Sequence, residues 1–405
     1  MPRRKKSDPR QLPLWPEAQF KVESPKKKAK AKKAKEPKNV KETPDTSGPP
    51  TDEAKTQTPP SSGAPPAPIS GTSGAPATPT EPTVPPDLTA RAVGGLLGLA
   101  CGDALGAPIE FKNLATVRET YGTVTDMIGG GIWAPGEWTD DTGMAICIAE
   151  GILEDPKNPV PGSGERFLAW ARTAKDVGGT ISAALSRFRT LEDWAKASSS
   201  TPQATSGRAA GNGSLMRTLP VALAYAEPSE MLRQSARLSS MTHWDPQAEL
   251  CCAIYCLWIR ALLDGASIAD GWQTALAETK EVAKRGILSV DTVGPSPLPE
   301  GFWERLNKVT DIGYEDLQPS GYAGYSVECL EAAAWCAIFS PDAEQAIIDV
   351  VNLAGESDTM GAVCGGVVGT YYGVDALPRR WLENLLDRKR IEKLARGLVE
   401  VRGQS

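Results

Sequence analysis

The prolines of this chain are distributed unevenly, and that distribution limits which part of it can fold. Residues 1–86 hold 19 of the 34 prolines, with 16 Lys and Arg against 9 Asp and Glu. The remaining 319 residues hold 28 basic and 41 acidic side chains, so a segment of net charge +7 precedes one of net charge −13. A proline-rich, charged segment buries too little apolar surface to offset its chain entropy. We therefore predict that folding is confined to the residues after 86.

This contrast divides the chain into three segments. Residues 1–42 are predicted to be a disordered basic tail, and residues 43–86 a semi-extended linker rich in Pro, Ser, Thr, Gly and Ala. Residues 87–403 are predicted to form the globular domain. The lysines of the tail would bind nucleic acid or another polyanion weakly and in a salt-dependent way. The alternative is a tail that only keeps the protein in solution.

A short apolar motif, Gln11-Leu12-Pro13-Leu14-Trp15, interrupts the tail. Large apolar side chains within a disordered arm indicate a docking peptide that orders on binding. The motif resembles the Gln-Leu-x-Leu-aromatic peptide by which bacterial proteins dock on the replicative sliding clamp, with Trp in place of the usual Phe. Docking on another partner and chance occurrence are the alternatives.

The lengths of the apolar runs and the numbers of cysteines and histidines exclude several classes of protein. No run of 18 apolar residues occurs, which predicts that no segment spans a membrane. No apolar stretch follows the basic start at residues 3–6, so we expect a cytoplasmic protein with reduced thiols, associated with DNA if the tail binds it. The eight cysteines are interpreted as small core residues, and a single histidine excludes a His-rich metal site.

Helical periodicity dominates from about Leu88 onward, and strand-like alternation is nearly absent. Met144, Ile148 and Ile152 recur at four-residue steps, and Asp245 before a proline is typical of a helix start. The predicted helices are 89–101, 141–153, 165–175, 179–188, one that begins at 246, 326–339, 341–353 capped by Ser340, 360–372 and 379–399. We therefore predict one all-α, multi-helix domain, with residues 286–325 as a long surface excursion.

Three acidic clusters lie in turns beside helix ends, at residues 102–111, 138–142 and 355–359. Helix capping alone explains any one of them. Together they supply five or six carboxylates and two or three hydroxyls, which suit Mg²⁺ or Mn²⁺ better than zinc or copper. Two such turns from distant parts of the chain can clamp a pair of these ions.

Two further elements are candidates for binding a ligand. The glycines of residues 211–217 allow backbone N–H groups to approach an anion closely, although no Gly-Lys-Ser/Thr of a Walker loop follows. The alternative for that segment is a tight turn before a helix. His243 is the second candidate, and its alternative is a buried or capping histidine.

The order of these motifs along the chain is distinctive. It reads Gly-Asp-Ala-Leu-Gly-x-Pro-x-Glu-Phe at 102–111, Trp-Thr-Asp-Asp-Thr at 138–142, Gly-Asn-Gly-Ser-x-Met-Arg at 211–217, Thr-His at 242–243, Gly-Tyr-Ser-Val at 324–327 and Gly-x-x-Asp-Thr at 355–359. This order resembles the ADP-ribosylglycohydrolase family, over roughly residues 90–400. The resemblance implies an all-α hydrolase that removes ADP-ribose with two Mg²⁺ or Mn²⁺ ions.

The resemblance also implies a role for individual residues. The implied metal ligands are Thr139, Asp140, Asp141, Glu356, Asp358 and Thr359. The implied catalytic residues are Glu110, Asp141 and Asp358. The implied substrate contacts are Asp103, Asp176, Gly211, Asn212, Gly213, Ser214, Met216, His243, Gly324 and Tyr325, with 211–214 around the ADP-ribose phosphates and Asp176 toward the leaving group. Glu356 departs from the family, which usually has Asp there, and its longer side chain reaches a metal only if the turn shifts.

The predicted reaction is hydrolysis of the N- or O-glycosidic bond of ADP-ribosylated protein, with Glu110, Asp140, Asp141 or Asp358 as general base. Three alternatives stay open. The first is the same reaction on ADP-ribosylated nucleic acid or a free ADP-ribose conjugate, which the basic tail suggests. The second is a catalytically weak module that binds ADP-ribose. The third is a metal-dependent hydrolase of another phosphate or nucleoside. The sequence does not identify the linkage that is cut.

Overall fold

The computed structural model of the chain describes residue 81 and residues 86–284, 298–317 and 324–404. The predicted tail, nearly all of the predicted linker and the docking motif at residues 11–15 lie outside these residues. The interpretations of those segments, including the contacts with a sliding clamp or nucleic acid, therefore stay predictions.

Within these residues the chain forms seventeen α-helices and no β-strand, which confirms the all-α prediction. The helices are α1 Leu88–Gly106, α2 Leu114–Tyr121, α3 Asp140–Glu154, α4 Pro159–Trp170, α5 Gly179–Leu191, α6 Trp194–Ser199, α7 Pro202–Thr205, α8 Leu219–Ala224, α9 Pro228–Ser240, α10 Pro246–Leu263, α11 Ile268–Lys284, α12 Phe302–Asn307, α13 Ser326–Phe339, α14 Ala343–Val351, α15 Ser357–Tyr372, α16 Arg379–Asn384 and α17 Arg388–Arg402. Two isolated antiparallel bridges join Gly130 to Trp133 and Gly211 to Tyr325.

Capping residues explain why several helices begin where they do. The Asp87 carboxylate accepts from the backbone N–H of Ala90 at 2.7 Å and begins α1. The Asp245 carboxylate accepts from the Gln247 N–H at 2.9 Å and begins α10, as predicted. α13 has the predicted bounds. The cap of α14 was predicted wrongly, because it is Asp342 that accepts from the Gln345 N–H, at 2.8 Å.

Three other predicted segments differ from the structure. The helix predicted at 165–175 is α4, which begins at Pro159 because a proline at the first position presets the helical φ. The helix predicted at 379–399 is two helices. The chain turns between them, where Asp387 has a φ of 55° and the Leu386 N–H donates to the Gly136 carbonyl at 2.9 Å. The predicted surface excursion at 286–325 packs against the core in its described part, through Phe302, Leu306 and Val309.

Glycines bring α1 and α15 into close backbone contact. A Cβ added at Gly98 would collide with the Gly365 carbonyl, and one added at Gly102 would collide with the Gly361 carbonyl. Because the paired glycine numbers rise along α1 and fall along α15, the two helices are antiparallel. The C-terminal end of α1 therefore lies beside the N-terminal end of α15, and this contact brings the acidic clusters at 102–111 and 355–359 together.

Two helices have the length and mean hydropathy that a membrane span requires, although neither contains a run of 18 apolar residues. They are Leu88–Ile109 and Pro246–Leu263, with 100% and 83% of the tested window buried inside the fold. Burial of this kind is also found in the core helices of soluble proteins. All eight cysteines are free and buried, which confirms their interpretation as core residues.

Candidate active site

The first acidic turn begins α3. Thr139 is its N-cap, and Asp140 and Asp141 occupy its first turn, where negative charge favours the helix N-terminus. The Thr139 hydroxyl lies 3.4 Å from the Asp141 N–H and 3.1 Å from Asp141 Oδ2. The same three residues therefore cap the helix and carry oxygen atoms that can bind a cation.

Asp103 holds this turn in place from α1. Its carboxylate accepts from the backbone N–H groups of Thr139 and Thr142, each at 2.9 Å, and from the Thr142 hydroxyl at 2.6 Å. The residue is fully buried. The resemblance implied a substrate contact for Asp103, but its oxygens are used within the fold, so it supports the site from behind.

The second acidic turn begins α15 and meets the first. The Thr139 hydroxyl lies 3.5 Å from Asp358 Oδ2, and the Thr359 hydroxyl donates to Asp141 Oδ2 at 3.4 Å. Asp358 also accepts from the Thr359 N–H at 2.8 Å. Two segments more than two hundred residues apart therefore interlock through carboxylate and hydroxyl groups, as the sequence predicted.

Glu110 reaches the same place from the turn after α1. The Phe111 N–H donates to the Gly355 carbonyl at 2.7 Å, and the Gly355 N–H donates to the Lys112 carbonyl at 3.0 Å. These bonds tie the Glu110 turn to the residue before Glu356. Phe111 has a φ of 57°, a conformation that costs a non-glycine residue free energy and is common at functional sites.

The carboxylates of the site carry raised pKa values because they are buried together. Burial, followed by repulsion from Glu356, Asp176, Asp140 and Asp103, raises the pKa of Glu110 to about 9. Burial and the charge of Asp176 raise the pKa of Asp140 to about 7. Burial raises the pKa of Asp103 to about 6, against the hydrogen bonds it accepts.

Burial raises the pKa values of Asp141 and Asp358 well above the usual range. Repulsion adds to this, chiefly from Asp103 on Asp141 and from Asp141 on Asp358. The pKa of Glu356 is raised as well, chiefly by burial. Among the described residues, no Lys, Arg or His forms an ion pair with these carboxylates. No described basic side chain therefore pairs with the cluster to compensate its negative charge.

Two buried oxygens of the cluster, Asp141 Oδ1 and Glu356 Oε1, have no hydrogen-bond partner. Unpaired buried carboxylate oxygens are costly, and a hard cation satisfies both their charge and their lone pairs. In the part of the chain that the structure describes, no three His, Cys, Asp or Glu side chains converge as the ligands of one ion. A bound cation would therefore complete its shell with the threonine hydroxyls and water, which suits Mg²⁺.

A cavity of about 920 Å³ opens in front of the two acidic turns. Its size lies within the usual range for small-molecule sites. The predicted residues that line it are Glu110, Asp140, Asp176, Gly211, Asn212, Gly213, Met216, His243, Gly324, Tyr325, Glu356 and Thr359. The predicted residues that do not line it are Asp103, Thr139, Asp141, Ser214 and Asp358, which lie buried behind its wall.

The glycine loop lines the same cavity and contacts the second acidic turn. The Asn212 N–H donates to the Gly324 carbonyl at 2.7 Å, so the loop pairs with the residues before α13. The Asn212 side-chain amide donates to Glu356 Oε2 at 3.2 Å and joins the loop to the second acidic turn. Ser214, a predicted substrate contact, instead accepts from the Ser239 hydroxyl at 3.0 Å inside the core.

Several lining residues were missed by sequence reasoning. They are Phe111, Val177, Gly178, Gly179, Thr180, Ile181, Gln203, Gly207, Arg208, Ala210, Gln247 and Pro299. Most lie between residues 176 and 210, a stretch that we expect to border the pocket but in which only Asp176 was singled out from the sequence. Arg208 is exposed and is the one cationic side chain among the described lining residues. No pattern in the sequence marked it, because a lone arginine in a loop carries no periodicity.

Comparisons with known proteins assign the folded part of the chain to a protein family. The ADP-ribosylglycohydrolase family model matches residues 84–405. An ADP-ribosylarginine hydrolase, Tri1, of Pseudomonas putida (strain GB-1) is 32% identical over 315 residues, which cover 76% of this chain and 78% of the relative. An ADP-ribosyl-[dinitrogen reductase] glycohydrolase of Rhodospirillum rubrum is 28% identical over 305 residues, which cover 74% of this chain and 92% of the relative.

A solved structure described as an ADP-ribosylglycohydrolase-related protein complex is similar in both fold and sequence. The TM-score is 0.61 at 33% identity, and the match covers 78% of this chain and 99% of the solved one. The match therefore spans nearly the whole of the solved chain.

Proposed function

The chain belongs to the ADP-ribosylglycohydrolase family, and on that basis we propose that it hydrolyses the glycosidic bond of ADP-ribosylated protein and releases ADP-ribose. One observation carries the proposal: the turns at residues 139–141 and 356–359 interlock at the wall of a cavity large enough for a nucleotide-sized ligand. The contact between the turns concentrates carboxylate and hydroxyl oxygens where a sugar can reach them.

The same oxygens suit two divalent cations, Mg²⁺ or Mn²⁺. Thr139, Asp140, Asp141, Glu356, Asp358 and Thr359 would hold them, and the unpaired oxygens of Asp141 and Glu356 support this assignment. Held there, divalent cations would supply positive charge that neutralises the carboxylate cluster and Lewis acidity toward water and the ribose hydroxyls. The protein's part is to fix these ligands, chiefly through the three hydrogen bonds that Asp103 accepts.

Hydrolysis breaks the bond between the ribose anomeric carbon and the leaving atom. A water hydroxyl adds to that carbon, and the leaving nitrogen or oxygen gains a proton. The anomeric carbon becomes positively charged as the bond breaks, and carboxylates beside it stabilise that charge. Asp140 and Glu356 line the cavity and are placed for this role.

Glu110 is the general base in this proposal, among the four carboxylates that the sequence left unranked. Asp141 and Asp358 lie behind the cavity wall and accept hydrogen bonds from hydroxyl or backbone groups. Asp140 Oδ2 lies 3.3 Å from the Gly178 N–H, which can donate to it. Glu110 lines the cavity, and no hydrogen bond to its carboxylate occurs among the described residues. Cations bound by the cluster would lower its raised pKa and leave it ionised, as a base that takes a proton from water requires.

We propose arginine as the ADP-ribosylated side chain. The relative of Pseudomonas putida is an ADP-ribosylarginine hydrolase. A guanidinium carries a positive charge and several N–H donors, and it pairs best with carboxylates. Asp176 and Asp140 lie close enough on the cavity wall for the charge of Asp176 to raise the pKa of Asp140. This acidic side of the cavity suits the arginine better than a serine hydroxyl.

The proposal is tested by incubating the protein with arginine-, serine- and DNA-linked ADP-ribose, each with Mg²⁺, with Mn²⁺ and with EDTA. Metal-dependent release of ADP-ribose from the arginine conjugate is expected. Release from the DNA conjugate alone would favour a nucleic-acid substrate. Stabilisation by ADP-ribose without release from any conjugate would indicate a binding module and refute the proposed activity.

A further inference from the structure

A buried arginine that forms no ion pair with any described residue lies behind the cavity wall. Arg217 is fully buried, and its guanidinium stacks over the Phe167 ring at 4.8 Å. Its Nη2 donates to the Leu238 carbonyl at 3.1 Å and to the Thr242 hydroxyl oxygen at 2.7 Å. Burying a guanidinium that forms no ion pair is costly, even with the charge of Asp140 acting on it, so these contacts indicate a purpose beyond packing.

The Thr242 hydroxyl connects this arginine to the cavity. Thr242 Oγ1 lies 2.8 Å from Nδ1 of His243, and Thr242 is fully buried. A guanidinium has N–H donors and no acceptor, so the Thr242 oxygen can only accept from Arg217. The single hydroxyl proton of Thr242 is then available for Nδ1 of His243.

The direction of that second bond follows from hydrogen-bond satisfaction. If Nδ1 carried a proton, it would also donate to Thr242, and the threonine proton would be left buried without an acceptor. If Nδ1 carries none, the hydroxyl donates to it, and both the Thr242 proton and the Nδ1 lone pair have a partner. Burial, together with the positive charge of Arg217, also lowers the pKa of His243 to about 3, so the ring is neutral near pH 7.

We infer that Arg217 and Thr242 are positioning residues that fix His243 in the tautomer with its proton on Nε2. In a neutral imidazole one nitrogen donates and the other accepts. With Nδ1 accepting from Thr242, Nε2 is the donor in the folded protein at all times, and no rearrangement is needed when a ligand arrives.

The Nε2 edge of the ring faces the glycine loop. A Cβ added at Gly211 would lie 3.1 Å from Nε2, and one added at Gly213 would lie 3.2 Å from it. His243 lines the cavity, and among the described residues no hydrogen bond involves Nε2. The donor is therefore presented to the cavity beside the glycine backbone.

This arrangement deepens the proposed function and rests on it for the identity of the ligand. A neutral N–H donor beside glycine N–H groups suits an oxygen of the ADP-ribose diphosphate or of the adjoining ribose. A fixed Nε2–H has no free lone pair, so His243 cannot take a proton from water. Proton transfer is thereby left to the carboxylates that line the cavity.

The single histidine of the chain makes the tautomer directly measurable. In protein labelled with ¹⁵N-histidine, long-range ¹H–¹⁵N correlation spectra near pH 7 distinguish a protonated from an unprotonated ring nitrogen. The expected spectrum has one set of signals, with Nε2 protonated and Nδ1 unprotonated. A protonated Nδ1, or averaged shifts from two exchanging tautomers, would overturn the inference, and this test needs no ligand.

Two variants of Thr242 then test the positioning role. Thr242→Ser keeps the hydroxyl and is expected to give the wild-type spectrum. Thr242→Val has nearly the same shape without the hydroxyl, so tautomer exchange should appear and ADP-ribose should bind about ten-fold more weakly. Unchanged tautomer and affinity in Thr242→Val would overturn the assignment. Absence of ADP-ribose binding by the wild-type protein would refute the proposed function, whereas the tautomer is decided by the spectrum alone.

Discussion

The Thr139 hydroxyl lies 3.5 Å from Asp358 Oδ2, although 219 residues separate the two in sequence. The same hydroxyl lies 3.1 Å from Asp141 Oδ2. One threonine that caps a helix thus joins the two acidic turns. The antiparallel contact of α1 with α15 makes this geometry possible, because it places the start of α15 beside the site.

Asp358→Asn should abolish metal-dependent release of ADP-ribose while leaving the helices folded. The amide keeps the shape but loses the charge that a divalent ion requires, and kcat/KM should fall at least about 100-fold. Turnover with Mg²⁺ and the far-ultraviolet circular dichroism spectrum are the measurements. Asp375→Asn, an exposed residue outside the site, is the matched control. Full turnover in Asp358→Asn would remove Asp358 from the metal site.

Sequence reasoning identified the acidic turns because their chemistry is local. A cap such as Thr139, followed by two aspartates, is visible as adjacent letters. The sequence failed where a role depends on packing. Asp103 stands in a recognised motif, yet only the fold shows that its oxygens are used by Thr139 and Thr142. Arg208 stands in no motif, and only the fold brings it to the cavity.

The helix boundaries likewise divide into those set by neighbouring residues and those set by packing. The start of α10 follows from Asp245 and was predicted correctly. The break between α16 and α17 depends on a hydrogen bond from Leu386 to Gly136, a residue 250 positions earlier. Residues next to the break therefore do not predict it. The predicted domain boundaries at 42, 86 and 403 stay predictions.

Glu356→Asp and Glu356→Gln should behave differently. Aspartate keeps the negative charge and restores the residue usual in the family, so turnover should stay within about ten-fold of the wild type. Glutamine removes the charge and should lower turnover further, with a higher Mg²⁺ concentration needed for half-maximal rate. Titrating the initial rate with Mg²⁺ measures both effects. Equal rates for Glu356→Gln and the wild type would exclude Glu356 as a ligand.

The metal-free protein should lose stability as the pH rises. Burial and repulsion raise the pKa of Glu110 to about 9 and that of Asp140 to about 7 in the fold. A carboxylate with a raised pKa in the folded state stabilises the fold below its usual pKa and loses that effect as the pH rises toward the raised value. The Tm of EDTA-treated protein should therefore be lower at pH 8 than at pH 6.

Mg²⁺ should reverse this loss, because a cation favours the ionised carboxylates and binds only the folded protein. The increase in Tm on adding Mg²⁺ should be larger at pH 8 than at pH 6. Glu110→Gln removes one of the titrating groups, so the Tm of its metal-free form should depend less on pH. An increase in Tm that is the same at both pH values would contradict this account of the cluster.

Gly98→Ala should disturb the site from a distance. The added methyl group would collide with the Gly365 backbone and separate α1 from α15, at a cost of about 1–3 kcal/mol in the free energy of unfolding. The urea concentration at the midpoint of unfolding and the rate of turnover should both fall. Gly403→Ala is the control, because its methyl group would have ordinary contacts, the nearest at 3.6 Å. Wild-type stability in Gly98→Ala would show that the helix contact is less tight than described.

Arg208→Ala should raise KM more than it lowers kcat. The side chain lines the cavity and lies outside the carboxylate cluster, so it can pair with a substrate phosphate without taking part in bond cleavage. Arg208→Lys should recover part of the loss, because the charge is kept. Steady-state kinetics on an arginine-linked substrate separates the two constants, and a fall in kcat alone would contradict this role.

The most direct test of the account is the rate of ADP-ribose release from an ADP-ribosylarginine substrate with Mg²⁺, after EDTA treatment, and after Mg²⁺ is restored. The account predicts release with Mg²⁺, loss of release with EDTA, and recovery on restoration, because the acidic turns hold the metal at the cavity wall. Release that continues unchanged in EDTA would contradict it, since the interlocked carboxylates would then have no metal-binding role in the reaction.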